Sequence, residues 1–113
     1  MVKNTYPKRG ELWWVDFGNR KGGIINKTRP AIIVSNNTSN KYSNKFQVIP
    51  ITSNTNRIYK SELLIYVKSK KGKAMVDQLL TVEKKKVYEK IGEVTSRDMF
   101  GIERVIKIQL GFK

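Results

Sequence analysis

The chain has no cysteine and no histidine. Without cysteine there is no disulfide, no thiolate metal site and no cysteine nucleophile; without histidine the commonest general base and the commonest zinc ligand are missing as well. Acidic residues are scarce, 9 against 23 lysines and arginines. Those present, among them Asp16, Glu62, Asp77 and Glu83, show no paired spacing of the kind a two-metal nuclease needs. Any catalysis is therefore expected to proceed without a metal or other cofactor. No apolar run approaches the roughly 18 residues of a membrane-spanning helix, and Met1-Val2-Lys3-Asn4-Thr5 leads into no apolar signal core. A cytoplasmic protein without membrane association is the expectation.

What is abundant is positive charge. The formal net charge is +14 in 113 residues, and the cations run from Lys3 to Lys113 rather than collecting in one tail. A folded surface built from such a chain attracts polyanions. Anionic membranes and acidic proteins satisfy the same charge, but nucleic acid is the leading class. The length suits one domain with a single core, spanning residues 1 to 113.

Glu11-Leu12-Trp13-Trp14-Val15-Asp16-Phe17, behind Gly10, is aromatic and β-branched and predicts a strand. Alternation puts Trp13, Val15 and Phe17 on one side and Leu12 and Trp14 on the other, so both sides bury something. A glycine-bearing loop from Gly18 to Lys27 or Thr28 follows. Apolar strands are predicted over 30–35 and 46–52, divided by the polar stretch Asn36 to Asn44, which can supply no core. A loop from Ser53 to Arg57 precedes a strand over 62–67. Lys68 to Lys73 then predicts a turn into a strand over 74–79. Glu83 to Lys86 suggests one helical turn, and Lys90 to Val94 a short strand. The period changes at the end: Thr95 with Asp98 resembles a capping box, and Met99, Ile102, Val105 and Ile106 recur at helical spacing up to a stop near Gly111. A β meander closed by a C-terminal helix is the expected architecture.

Two polar residues stand at the ends of the most apolar strands. Pro30 pushes the backbone of Arg29 to an extended conformation, so its guanidinium projects from a rigid strand entrance with planar donors suited to phosphate. Thr52 leaves the run Phe46 to Ile51 and offers a hydroxyl that can donate to a phosphate oxygen or accept from a sugar hydroxyl. Lys27 and Thr28 before the arginine, and Ser53 after the threonine, are expected RNA contacts. A guanidinium is too weak an acid to serve as a free base, so any catalytic part for Arg29 is to stabilise charge on a phosphate in its transition state. Read alone, Arg29 is a surface cation paired with a carboxylate, and Thr52 a hydroxyl satisfying local backbone. The lysine runs at 68–73 and 84–86 are by default solvated turns. Trp13 and Trp14 are assigned to packing rather than to base stacking.

Taken together, Arg9-Gly10-Glu11-Leu12-Trp13-Trp14-Val15-Asp16-Phe17, Thr28-Arg29-Pro30-Ala31-Ile32-Ile33-Val34-Ser35-Asn36, Ile49-Pro50-Ile51-Thr52 and Val76-Asp77-Gln78-Leu79, in that order and with a closing helix, resemble the MazF/PemK (Kid) toxins of type II toxin–antitoxin systems. The resemblance implies a mainly β (α+β) fold, an SH3-like β-barrel of the MazF/CcdB type with a C-terminal helix. It implies a homodimer, an acidic antitoxin of the MazE type as partner, and sequence-specific, metal-free endoribonuclease action on single-stranded RNA. Cleavage would leave a 2′,3′-cyclic phosphate and a 5′-hydroxyl. Arg29 and Thr52 match the family's catalytic pair, and Gln78 matches a position near the RNA groove. The chain departs from many relatives at Ile24, where they carry an acidic residue, and at Lys27, where they carry glycine. A mechanism built on a loop carboxylate is thereby left without its residue. Two other functions fit parts of the pattern: a CcdB-like gyrase poison, whose Trp-Gly-Ile-like tail Leu110-Gly111-Phe112-Lys113 does not match, and a non-catalytic SH3-like RNA-binding module.

Overall fold

The computed structural model describes residues 5–112. The reading of Met1 to Asn4, and Lys113 at the other end, lie outside the described residues. Seven strands and two helices follow the chain: β1 (Glu11–Asp16), β2 (Thr28–Ile33), α1 (Asn37–Tyr42), β3 (Lys45–Thr52), β4 (Glu62–Val67), β5 (Lys70–Met75), β6 (Leu80–Glu83), β7 (Val87–Glu93) and α2 (Ser96–Gln109). Short 3₁₀ turns at Val76–Gln78 and Lys84–Lys86 join β5 to β6 and β6 to β7.

The strands form one antiparallel sheet in the order β4-β5-β3-β2-β1-β7, with β6 paired to β3 off this path, and the sheet curls into a half-barrel of the mainly β class expected. β3 is its hub. One edge pairs with β2; the other is shared, Lys45 to Val48 pairing with β6 and Ile51 and Thr52 with β5. Pro50, which has no N–H to donate, sits between those two stretches. Alternation in β2 and β3 divides the apolar residues between two cores. Ile32, Ile49 and Ile51 face a cluster with Leu12, Ile65, Ile102 and Val105, while Ala31, Ile33, Phe46 and Val48 face another with Val15, Phe17 and Val82. This is why β3 is apolar almost throughout: both of its faces are covered.

α2 closes the first core with Ile102 and Val105, and Gly101 lets it come close, since a Cβ there would meet Leu63 Cδ2 at 3.0 Å. Its start is the expected cap, the Thr95 hydroxyl accepting from the Asp98 amide at 3.0 Å. Its end is a Schellman turn: Gly111 has φ +77°, the Phe112 amide donates to Lys107 O at 2.7 Å, and the Gly111 amide to Ile108 O at 3.2 Å.

Several elements differ from their sequence-based expectation; β2 runs over Thr28–Ile33 instead of 30–35, and β6 falls where no strand was predicted. The polar stretch from Asn36 to Asn44 contains helix α1, capped by the Asn36 side chain on the Ser39 amide, and it does reach the interior through Asn40, which is fully buried and hydrogen-bonded to Ser35. A polar segment buries what it can pair.

The turn predicted over 68–73 is only Lys68 and Ser69, both at positive φ (49° and 70°), so the strand runs from Lys70 to Met75 instead of from Ala74 to Leu79. Tertiary contacts override the lysine-rich local signal. Gly72 lies bare against β3, and Lys73 is drawn inside by Glu62 at 3.0 Å and by Arg57 O at 2.8 Å. β7 begins at Val87 rather than Lys90, because it pairs along β1 through two irregularities.

Within the chain β1 places Leu12 in one core and Val15 in the other, while Trp14 between them remains 38% exposed. Among the described residues no helix is long and apolar enough to cross a membrane.

Candidate active-site cleft

The ends of β2 and β3 open on one side of the sheet into a cleft of about 530 Å³. One wall is Thr28, Arg29 and Pro30 beside Ile51, Thr52 and Ser53; the other is made by the β4–β5 turn, with Val67, Lys68, Lys70, Lys71 and Gly72, and by β7, with Glu89, Lys90 and Ile91. Trp14 contributes from β1, where it lies opposite Pro30. The fold therefore brings Arg29 and Thr52, 23 positions apart in sequence, into one opening.

Arg29 is half-buried, and its Nε donates to Asn26 O at 2.9 Å, which fixes the side chain while leaving the terminal nitrogens without an ion pair among the described residues. That is the geometry a phosphate clamp needs: a guanidinium held from behind, its outer donors open. Thr52 ends β3, its Oγ1 accepting from the Asn54 amide at 3.3 Å, so its own hydroxyl proton remains free to donate. Behind it there is no slack. A Cβ on Gly72 would meet Ile51 Cγ2 at 3.0 Å and Thr52 O at 3.3 Å, so only glycine lets β5 run this close to Thr52.

The other expected RNA contacts divide. Thr28 and Ser53 line the cleft and are exposed. Lys27 and Gln78 do not line it. Lys27 is exposed and closes the Gly18–Lys27 loop, its amide donating to Gly18 O at 2.7 Å and its carbonyl accepting from the Phe17 amide at 2.8 Å. It does so at φ +66°, a conformation that glycine adopts without strain. The Gln78 carboxamide is engaged by the same loop: Oε1 accepts from the Ile25 amide at 2.6 Å, and Nε2 donates to Gly23 O at 3.4 Å. Ile25 adjoins Asn26, whose carbonyl holds Arg29. Gln78 thus acts on the cleft from behind, through the loop. Ile24, in place of a loop carboxylate, is half exposed at the tip.

Five cations line the cleft, Arg29, Lys68, Lys70, Lys71 and Lys90, against the single carboxylate of Glu89. Lys90 is anchored to Glu11, Nζ to Oε2 at 2.9 Å. Burial pushes the Glu11 carboxyl up, but hydrogen bonds from the Lys8 amide, the Trp13 indole and Lys90 outweigh it and hold the group below its ordinary value. The Lys90 ammonium is raised in turn, mainly by its hydrogen bond to Glu11. Among the described residues no group of three or more His, Cys, Asp or Glu side chains could hold a metal ion.

Residues 8–110 match the family model of the PemK-like, MazF-like toxin of type II toxin–antitoxin systems. The chain belongs to this family. Among curated members it is 31% identical over 116 residues to an endoribonuclease MazF of Staphylococcus saprophyticus, with 92% of this chain and 91% of the relative covered. It is 27% identical over 112 residues to the endoribonuclease MazF9 of Mycobacterium tuberculosis, covering 91% and 95%. Among solved family structures, MazF of Deinococcus radiodurans superposes with a TM-score of 0.85 at 21% identity, over 96% of this chain and 99% of that one, a likeness of fold. A mycobacterial endoribonuclease in complex with its cognate antitoxin superposes at 0.80 with 25% identity, covering 95% and 97%. The family's β-barrel is thus the frame on which the cleft is built.

The cleft residues that sequence reasoning missed are Trp14, Lys68, Lys70, Lys71, Gly72, Glu89, Lys90 and Ile91. For the lysines the signal is a basic run in a predicted turn, which by default reads as solvated surface. For Glu89, Lys90 and Ile91 nothing local marks the cleft, because their place in it depends on the register of β7 against β1.

Proposed function

We propose that this chain is the endoribonuclease toxin of a type II toxin–antitoxin pair, acting in the cytoplasm as a single-domain protomer on single-stranded RNA, without a metal. The observation that carries the reading is the cationic cleft in which an arginine with free terminal nitrogens faces the same space as the Thr52 hydroxyl. The names of the relatives, which are endoribonucleases over nearly the full length of this chain, support it.

In the proposed reaction the ribose 2′-oxygen attacks the adjacent phosphorus. A P–O2′ bond forms and the P–O5′ bond breaks, giving a 2′,3′-cyclic phosphate and a 5′-hydroxyl; the proton lost from the 2′-hydroxyl is matched by one gained at O5′. Arg29 neutralises the charge that builds on the non-bridging oxygens. Thr52 orients the phosphate. Thr28 and Ser53 lie beside them as contacts to the RNA backbone, while Lys27 and Gln78 shape the loop that presents Arg29.

Incubation of purified protein with mixed-sequence RNA in EDTA tests this. Cleavage is expected, with products that polynucleotide kinase labels without prior phosphatase treatment. Activity abolished by EDTA and restored by magnesium would sink the metal-free mechanism, and RNA retained uncut would favour the non-catalytic binding module.

Two partners belong to the same reading. A second copy docks most readily on the exposed apolar residues of the C-terminal helix and its end, Phe100, Ile108, Leu110 and Phe112, and sedimentation at the 13.1 kDa monomer mass at micromolar concentration would contradict it. An acidic, flexible antitoxin segment competes with RNA for the positive cleft. Mutual exclusion between that segment and an uncleavable RNA analogue is the expected outcome.

A further inference from the structure

Phosphate contacts position an RNA but carry no sequence information. Neither Arg29 nor Thr52 can therefore select a cutting site by gripping a phosphate. Beside them lie two residues that can read a base.

Trp14 stands within β1 yet is 38% exposed, and it lines the cleft. Its strand neighbour Trp13 is packed against the core of Val15 and Phe17 and donates its indole N–H to Glu11 at 3.0 Å. No such bond holds Trp14 among the described residues. A part-exposed indole on a paired strand, beside Pro30 across the ladder, is a rigid stacking surface.

Glu89 reaches the same cleft because of how β7 is built. Against β1, Leu12 pairs with Gly92, Trp13 with Lys90 and Val15 with Val87, so β7 carries an extra residue in each interval. Such bulges re-aim side chains. As a result Glu89, Lys90 and Ile91, consecutive in sequence, all line one cleft, which strict alternation would forbid. Lys90 is tied to Glu11 and Glu93. Glu89 has no ion pair or side-chain hydrogen bond among the described residues, although it is the one carboxylate in a cleft lined by five cations. A free carboxylate where phosphates are wanted is costly for affinity unless it takes a donor from the substrate.

We propose that Trp14 and Glu89 form a nucleobase subsite beside Arg29 and Thr52: the base flanking the cut phosphate stacks on the Trp14 indole and donates an exocyclic amine to the Glu89 carboxylate. The proposal rests on the endoribonuclease reading. An ionised carboxylate only accepts hydrogen bonds. It favours adenine, cytosine or guanine, which present amines, over uracil, whose O4 it repels. Trp14 supplies affinity that is indifferent to sequence, and Glu89 supplies selection.

The test is sequencing of cuts in a random RNA library, with kcat and KM on defined oligonucleotides, for wild type, Glu89→Gln, Trp14→Ala and Trp14→Phe. Wild-type sites should be depleted of uracil at one position next to the cut. Glu89→Gln, whose carboxamide can donate to O4, should raise uracil there by about tenfold, its loss on amine-bearing bases falling mainly on KM. Trp14→Ala should raise KM on all sequences by about tenfold, and Trp14→Phe should recover most of that. An unaltered positional preference in Glu89→Gln would overturn the proposal, as would a Trp14→Ala defect confined to kcat. If the wild type cuts nothing, the endoribonuclease reading fails by itself, and equilibrium binding of oligo(A), oligo(C) and oligo(U) then decides the subsite. Weaker binding of oligo(U) that becomes equal in Glu89→Gln supports it; equal binding by the wild type overturns it.

Discussion

The two walls of the cleft are made in opposite ways. The β2–β3 wall is the end of two regular strands whose apolar residues fill two cores, so Arg29 and Thr52 inherit their positions from a register that burial enforces. The β5–β7 wall is made of polar, largely exposed residues, and its shape comes from a hairpin turn with two non-glycine residues at positive φ and from the two irregularities of β7. Regular secondary structure holds the groups proposed for the chemistry; irregular structure supplies most of the charge and the one carboxylate. A wall held by core packing tolerates no drift, whereas a wall held by turns, bulges and single ion pairs can vary without unfolding the protein. The first is suited to a fixed reaction and the second to selecting where it occurs.

Removing Arg29 should separate the walls most sharply. Arg29→Ala is expected to lower the cleavage rate by about two to four powers of ten with little change in melting temperature, because among the described residues its side chain is tied to the fold by a single hydrogen bond, to Asn26 O. Arg29→Lys should recover only part of the loss, since an ammonium cannot reproduce the planar fork. Full activity in the lysine variant would show that point charge, not geometry, is what this wall provides.

The contact between the walls is next. Gly72→Val forces a side chain into the 3.0–3.3 Å gap against Ile51 and Thr52, and a displacement of that kind should cost on the order of tenfold to a hundredfold in kcat. Wild-type kcat in a folded Gly72→Val protein would mean that Thr52 does not need its position.

The anchor of the β7 wall can be read through pH. Because the Glu11 carboxyl titrates below its unfolded value, its contribution to stability is present above the unfolded pKa and disappears as pH falls through the folded one. Lys90, raised in the fold, contributes below its unfolded pKa and loses that contribution as pH rises through the folded one. Glu11→Gln should therefore destabilise at neutral pH by about 1 kcal/mol and flatten the acid limb of melting temperature against pH below about pH 4. Parallel acid limbs for the two proteins would remove Glu11 as the anchor.

The smallest effect belongs to the loop in front of Arg29. Lys27→Gly relieves φ +66° and should stabilise by about 0.5–1 kcal/mol, the relief being offset in part by the greater freedom of glycine in the unfolded chain. A fall in melting temperature on thermal denaturation would show that the lysine side chain holds the loop.

The sequence by itself determined most of the strands and the closing helix, the apolar residues of β2 and β3, the Thr95 cap and the Gly111 stop, and a charge that attracts polyanions. These are properties of composition and period, and burial or capping acts on them locally. It also marked Arg29 and Thr52, since residues at the ends of strongly apolar strands have few places to go. Tertiary structure alone decided the rest. Asn40 became core through its pairing with Ser35, the Lys70 to Lys73 run became a strand through Gly72 and the Glu62 ion pair, and Gln78 was spent on the loop instead of the cleft. The second wall was decided there too: which of Glu89, Lys90 and Ile91 line the cleft depends on where β7 slips against β1, and a slip in register is set by the partner strand.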